Sequence, residues 1–431
     1  MGMGTTDEVE EATCLACGCL CDDIALTVAE GRIVEARNAC EVGRAWFLAD
    51  HQRADLPASI VEGRAVDLEM ALDRAAAILQ QARAPVVCGL SGSTTEAQGI
   101  ALAIADRVGA VFDPEHSSEA LPSVLATQRT GAASATLGEV RQRAEVVVFW
   151  GVDPIRTHPR LWERVIEPPG RFLRSGRVVL AADSTRTATI EKADLALIVD
   201  PDRQFDALWS LRALVRGLEV DLDRVRSSAG IDPEALLAWA DRLQQARYGA
   251  FFQGPGPGGS AIVEALQGLV LDLNASARFV ALPLLGPGNP AGAEAVATWQ
   301  AGAPLAIEFR QGHPRFLPDD ATASLRLERG EADAALIVGD SESFELSHHD
   351  SLGKIPVIRI GPAATARASA VAIASATPGI DTPGTVWRFD GVSLPLRPAL
   401  SPIRPTDREL LGAILARIEA ADRAQGQGQG R

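Results

Sequence analysis

Residues 144–151 read AEVVVFWG, five apolar residues in an unbroken run between a carboxylate and a glycine. A half-exposed strand would alternate apolar and polar positions, so this run reads as a strand buried on both faces. RVVLAADS (177–184) and DLALIVD (194–200) repeat the pattern downstream, and PVVCGLSG (85–92) and AVFD (110–113) precede it. Amphipathic stretches fall between such runs. LEMALDRAAAILQQAR (68–83) is one, and TTEAQGIALAIADRVG (94–109) is another, opened by Thr94 with Glu96 in its first turn. Short apolar strands alternating with helices predict parallel sheets covered on both faces, an α/β protein.

A second series begins after a helical stretch near 203–247. YGAFFQG, RFVALPLL, DAALIVGD and IPVIRIG read as strands, and SAIVEALQGLVLDLN as a helix. ASAVAIASA and TVWRFDGVSLPLRP, within 366–398, read as β-rich and proline-punctuated. The end, RAQGQGQGR, is low in complexity and expected to be disordered. These shifts divide the chain into a cysteine-rich lobe (1–60), α/β regions at 61–202 and 203–365, a β-rich segment (366–405) and a helix with a tail (406–431). With 431 residues, two to three domains are expected.

Composition excludes several functions. The net charge is −15 and the pI near 5.0. Nucleic-acid and polybasic membrane-surface binding call for the opposite sign. Lys192 and Lys354 are the only lysines; the other basic residues are arginines. The acidic start, MGMGTTDEVEEA, has no apolar signal core, and no stretch reaches membrane-span length, so a cytoplasmic location is expected.

Four of the six cysteines fall within TCLACGCLCDD (13–23). Cys14, Cys17 and Cys21 follow C-x2-C-x3-C. DIALTVAEGRIVEARNAC (23–40) reads as a hairpin about Glu30-Gly31 that returns the chain to Cys40, and EVGRAWFLAD as a short helix. Three thiolates at this spacing with a distant fourth suit the corners of a [4Fe–4S] cluster. A structural zinc site uses the same ligands but usually shows two paired knuckles, and this chain has one. Thiols kept without metal are the third reading. Cys19 and Cys88 read as packing residues.

Several separated motifs, in order along the chain, carry a family resemblance. CLACGCLCDDIALTV, GEVRQRAEVVVFWGVDPIRTHPR, LDLNASARFVALPLLGPGNPAG, FRQGHPRFLP, RGEADAALIVGD and IDTPGTVWRFDGV together resemble the B subunit of formylmethanofuran dehydrogenase, a reduced member of the molybdopterin oxidoreductase family, over about residues 13–398. The resemblance implies a small N-terminal cluster lobe followed by two parallel-sheet α/β domains with a tungsto- or molybdopterin site. It also implies reduction of CO2 to formate there. One departure bears on that activity. Where the family has a metal-ligating cysteine or selenocysteine, a histidine and a glycine before Pro-Ser, HSSEALPSVLA (116–126) has Glu119, Ala120 and Leu121 before Pro122 and Ser123. A soft thiolate donor and a candidate proton shuttle are thereby missing. GPGPGGSA (254–261) sits where a pyrophosphate cradle would lie, with Gly258 and Gly259 as possible donors and Pro255 and Pro257 removing two N–H groups.

The resemblance then implies a degenerate pterin site with no catalytic residue in this chain. Tungsto- or molybdopterin is expected to be absent, and a [4Fe–4S] cluster on Cys14, Cys17, Cys21 and Cys40 remains possible. The matching setting is the bacterial formyltransferase/hydrolase complex of tetrahydromethanopterin-linked one-carbon metabolism. Its other chains would be an amidohydrolase-like hydrolase subunit, a β-helix subunit and a formyltransferase subunit. An active tungsten or molybdenum oxidoreductase is the alternative. His158, His313 and the pair His348-His349 read as loop or strand residues without catalytic partners. Asp22-Asp23 reads as the hairpin entry.

Overall fold

The computed structural model describes residues 7–254, 259–318 and 320–428. Its N-terminal lobe is an antiparallel sheet, β1 (Asp7–Ala12), β2 (Ile24–Ala29) and β3 (Arg32–Arg37), in the order β1-β2-β3. Glu30 and Gly31 take φ of 52° and 74° at the β2–β3 turn, the conformation of a two-residue I′ hairpin. The helix α1 (Glu41–Phe47) follows.

The chain then runs β4 (Ser59–Val61), β5 (Arg64–Ala65), α2 (Leu68–Gln81), β6 (Pro85–Gly89), α3 (Thr95–Val108), β7 (Val111–Pro114) and α4 (Ser117–Thr130). Next come α5 (Leu137–Arg143), β8 (Val146–Trp150), α6 (Pro154–Thr157), α7 (Pro159–Leu161), β9 (Val178–Asp183), α8 (Ala188–Lys192) and β10 (Leu195–Ile198). α9 (Gln204–Val215), α10 (Leu222–Ala229), α11 (Pro233–Gln245), β11 (Tyr248–Gln253), α12 (Gly259–Leu273) and β12 (Arg278–Pro283) continue. Then follow α13 (Pro290–Ala301), β13 (Ile307–Glu308), β14 (Arg315–Phe316), α14 (Ala323–Glu328), β15 (Ala334–Val338), α15 (Glu342–Ser347) and α16 (His349–Leu352). β16 (Val357–Gly361), β17 (Val371–Ala374), β18 (Gly384–Trp387), β19 (Ser393–Leu396) and α17 (Asp407–Gly428) complete it.

Local chemistry sets the ends of these elements. Thr94 caps α3 by accepting from Ala97 N–H at 3.3 Å, and Gly109 ends it at φ 69°. Asp67 caps α2 through Met70 N–H at 2.8 Å.

The chain forms two compact units, and their boundaries differ from those expected at 202/203 and 365/366. The larger combines the described residues up to Ser118 with Gly286–Arg388 and those from Ser393 on; the smaller is Glu119–Leu285 with Phe389–Val392. The expected borders cut through both sheets. In the smaller unit β8 pairs in parallel with β11, Gly249 opposite Val146, giving the all-parallel order β10-β9-β8-β11-β12. In the larger unit β6 pairs in parallel with β15, Ala334 opposite Pro85, within the order β14-β13-β7-β6-β15-β16-β17-β4-β5. Strands distant in sequence meet because both faces of every central strand must be buried. Val86, Val87 and Cys88 of β6, all of β8, and Ala335 to Val338 of β15 lie in the cores. The tail expected to be disordered is helical as far as Gly428: Leu410, Leu411, Ile414 and Ile418 anchor α17 in the core of the larger unit. No helix among the described residues is long and apolar enough to cross a membrane.

Candidate functional site

The cysteine lobe is built from a tight loop and a helix start. Cys14 N–H donates to Cys21 C=O at 2.9 Å, and Leu20 N–H to Cys17 C=O at 3.3 Å, closing the loop. Cys40 is the N-cap of α1, and its C=O accepts from Arg44 N–H at 2.8 Å. Gly43 marks where the sulfurs converge. A Cβ there would lie 3.0 Å from Cys14 Sγ and 3.8 Å from Cys40 Sγ. Burial pushes the Cys14 thiol up, opposed by the Ala16 N–H; the neighbouring thiols of Cys21, Cys17 and Cys40 push it further. Cys19 contacts both Cys17 and Cys21 and holds the Cys17 thiol below its ordinary value. It is buried, as is Cys88 in the β6 core.

These residues suit a cluster. Four thiols converge on one small lobe, a backbone N–H meets a sulfur at Cys14 and again at Cys17, and a glycine leaves room beside two sulfurs. Among the described residues no three His, Cys, Asp or Glu side chains are arranged to hold a single metal ion. The same four thiolates would serve a structural zinc site or a cubane.

A crevice of about 660 Å³ lies in the larger unit, at the C-terminal ends of its parallel strands. The loops after β6, β7, β15, β16 and β17 supply Ser91 and Gly92, Glu115 and His116, Asp340 and Glu342, Pro362, and Thr377 and Pro378. Leu15 and Ala16 of the cysteine loop, with Trp46 and His51, line another side. Strand order reverses at β6 and β15, the place where open α/β sheets bind ligands. Glycines let the loops close up there. A Cβ on Gly92 would lie 3.3 Å from Gly339 Cα, and one on Gly288, at φ 79°, 2.2 Å from Ser91 C=O.

The crevice is lined mostly by apolar surface, with a few polar groups set into it. Ser91 Oγ and Thr377 Oγ1 are buried and have no hydrogen-bond partner among the described residues. Burial raises Asp340 and lowers His51, whose Nε2 lies 2.6 Å from Trp46 C=O. Burial also raises Glu294 of α13 to about 7, with His116 opposing. The two unpartnered hydroxyls and the Asp340 carboxyl give the crevice polar atoms to offer a small ligand.

Sequence reading missed His51, His116, Glu294 and Asp340. Asp340 comes two residues after β15, in LIVGD, and a carboxylate at the end of a buried strand was the one signal that could have found it. Glu119, Ala120 and Leu121 lie on the first turns of α4, Glu119 exposed and Ala120 buried. This turn offers an exposed carboxylate, with neither a thiol nor an imidazole at 119–121. Gly258 lies outside the described residues. Gly259 is exposed at the start of α12, φ 65°, with nothing within 4 Å of a Cβ placed there.

The other histidines have structural partners or none of consequence. His158 is buried, with Nε2 3.0 Å from Leu285 C=O and Nδ1 2.9 Å from Thr157 Oγ1. Burial lowers its pKa. His313 is exposed, Nδ1 3.3 Å from Gln311 C=O. His348 and His349 lie between and on the short helices α15 and α16, not on a strand; His348 Nδ1 lies 2.9 Å from Phe344 C=O.

No family model matches the sequence. Known structures define the class: an α/β protein with the molybdopterin-oxidoreductase-like fold, its smaller sheet all parallel and its larger sheet parallel at the centre with antiparallel strands at both edges. Acetylene hydratase from Pelobacter acetylenicus superposes with a TM-score of 0.62 at 10% identity, over 95% of this chain and 69% of that one, a likeness of fold alone. The chain belongs to the family of formylmethanofuran dehydrogenase B subunits. It is 31% identical to the B subunit of the tungsten-containing formylmethanofuran dehydrogenase 2 of Methanocaldococcus jannaschii, over 95% of this chain and 98% of that one. It is 28% identical to the B subunit of the formyltransferase/hydrolase complex Fhc of Methylorubrum extorquens, over 84% of this chain and 97% of that one. The crystal structure of that FhcABCD complex with methylofuran matches with a TM-score of 0.73 at 27% identity, over 85% of this chain and 99% of the matched chain.

Proposed function

We propose that this chain is a non-catalytic scaffold subunit of a formyltransferase/hydrolase-type complex in tetrahydromethanopterin-linked one-carbon metabolism. Its partners are an amidohydrolase-like hydrolase subunit, a β-helix subunit and a formyltransferase subunit, which carry the chemistry. The observation that supports it is the turn at Glu119, Ala120 and Leu121, where the family's soft metal ligand and histidine have no counterpart. Cys14, Cys17, Cys21 and Cys40 hold a [4Fe–4S] cluster as a structural staple, and no tungsto- or molybdopterin is bound.

The test is metal content of the complex purified without oxygen, with dye reduction by formate or formylmethanofuran. About four Fe per chain with no W or Mo and no viologen reduction is the expected result. Near-stoichiometric W or Mo with dye reduction would overturn it. A second reading, a pterin-dependent oxidoreductase, draws on the open crevice and its unpartnered hydroxyls, Ser91 and Thr377. It requires fluorescent oxidised pterin to be released when the protein is denatured.

A further inference from the structure

The chain carries a net charge of −15, yet one end of its smaller unit is basic. Arg143, Arg171, Arg174, Arg242, Arg247 and Arg278 are all exposed near the N-terminal ends of β8, β9, β11 and β12. Glu139 meets Arg143 at 4.0 Å, and Glu145 takes both Arg174 and Arg247, at 2.8 and 2.9 Å. Two guanidinium groups on one carboxylate leave positive charge over. Among the described residues Arg171, Arg242 and Arg278 form no ion pair.

A groove of about 440 Å³ lies among Arg174, Ser175, Gly176 and Arg242, with Glu145. Beside it Phe172 is 48% exposed. The Arg143 guanidinium stands 4.7 Å and that of Arg171 5.6 Å from its ring centroid. The loop that carries Phe172 is fixed. Phe172 N–H donates to Gln142 C=O at 3.0 Å, Arg247 donates to Phe172 C=O at 3.4 Å, and Arg177 donates to Ala144 C=O at 2.9 Å. An aromatic ring held ready between arginines is what protein interfaces use as an anchor, since little side-chain freedom is lost on binding.

We propose that this basic end is a docking surface for an acidic protein face with an apolar socket for Phe172. The proposal rests on the reading of the chain as a component of a larger complex. A protein partner is favoured over a nucleic acid because one flanked ring is not a stacking platform and the rest of the chain repels a polyanion.

The chain is co-expressed with the other components of its complex, and hydroxyl-radical labelling of Phe172 is compared in the assembly and in the isolated chain. Labelling is expected to fall at least fivefold on assembly. Arg143→Glu/Arg171→Glu and Phe172→Ala are expected to weaken assembly at least tenfold, with loss of salt dependence in the first. An assembled complex with Phe172 labelled as in the free chain refutes the docking surface and leaves the scaffold reading standing. Failure of the wild-type chain to assemble refutes both. Binding of a 30-nucleotide single strand that the double variant abolishes would give the surface to nucleic acid and overturn the proposal. The labelling comparison decides the matter even if a variant misfolds.

Discussion

Replacing Gly43 by alanine separates a cluster-bearing lobe from an empty one. On the helix alone the change is favourable by about 1 kcal/mol, because alanine is the better helix former. Gly43 is the third residue of the seven-residue α1, so the gain there is at most that of an interior position. The added Cβ would lie 3.0 Å from Cys14 Sγ, against a comfortable carbon–sulfur contact of about 3.7 Å, an overlap of roughly 0.7 Å. A free thiol escapes by turning about its χ1 bond, at a cost of about 1 kcal/mol, and the two effects nearly cancel. A sulfur bound to iron cannot turn away. Without metal the variant is therefore expected to melt close to the wild type. After anaerobic reconstitution it is expected to hold less than half the wild-type iron and to show the matching loss of charge-transfer absorption. Full iron content in Gly43→Ala would refute the view that this glycine makes room for a ligand sulfur.

Three further outcomes follow from buried charge and backbone. Glu145→Gln removes the charge that holds Arg174 and Arg247 and leaves them one amide oxygen in place of two carboxylate oxygens. Those arginines are half exposed and rehydrate, so the loss is well below that of a fully buried pair, read as a modestly lower denaturation midpoint at pH 7. Arg174 and Arg247 hold the Glu145 carboxyl at about 2, below its ordinary 4.5; its contribution is complete above pH 4.5 and lost as pH falls toward 2. Burial raises Asp113 and Asp407 to about 6 from 3.8, so the folded chain binds those protons more tightly and gains stability as pH falls through 6. Each can add up to about 3 kcal/mol, so Tm at pH 5 should exceed that at pH 7.5, with the rise flattened in Asp113→Asn/Asp407→Asn; an unchanged slope would count against it. Gly89→Ala forces a side chain into φ 84° with its Cβ 2.5 Å from Val338 C=O, and is expected to cost about 4 kcal/mol or more, on the order of what strain and a backbone clash add up to, or to abolish soluble expression.

What the sequence disclosed depends on how local the signal was. Val146 to Trp150 could be read as a buried strand because burial on both faces leaves no polar position in it. The hairpin at Glu30-Gly31 and the cap at Thr94 were equally local. The pairing of Val146 with Gly249, about a hundred residues away, was not legible, because a parallel strand carries no mark of its neighbour. The same holds for the crevice. Many of its residues follow five different strands, others come from the cysteine loop and the stretch around α1, and only the sheet order brings His116 and Asp340 to one cavity. The cysteines lay at the other extreme, with three of four ligand candidates inside eight residues.

The contrast between Glu119 and the cysteines has a physical basis. Glu119 is exposed in the first turn of a helix, where a carboxylate meets the positive end of the dipole and gains about 0.3–1 kcal/mol. A metal ligand on that turn can be replaced at no cost to the fold. Cys14 and Cys21 are 5% exposed, and there a thiol fills core volume whether or not it holds iron. Their presence is therefore weak support for a cluster. Cys17 and Cys40 are only half buried, so packing gives little reason for a thiol at either position. Serine scanning separates the two roles. Without metal, Cys14→Ser and Cys21→Ser are expected to lower stability by about 1–2 kcal/mol, and Cys17→Ser and Cys40→Ser by less than about 0.5. With a cluster, all four lose iron alike, and Cys17→Ser and Cys40→Ser then lower Tm as much as the buried pair. If Cys17→Ser and Cys40→Ser leave both iron content and Tm at wild-type values, the four-thiolate site is wrong.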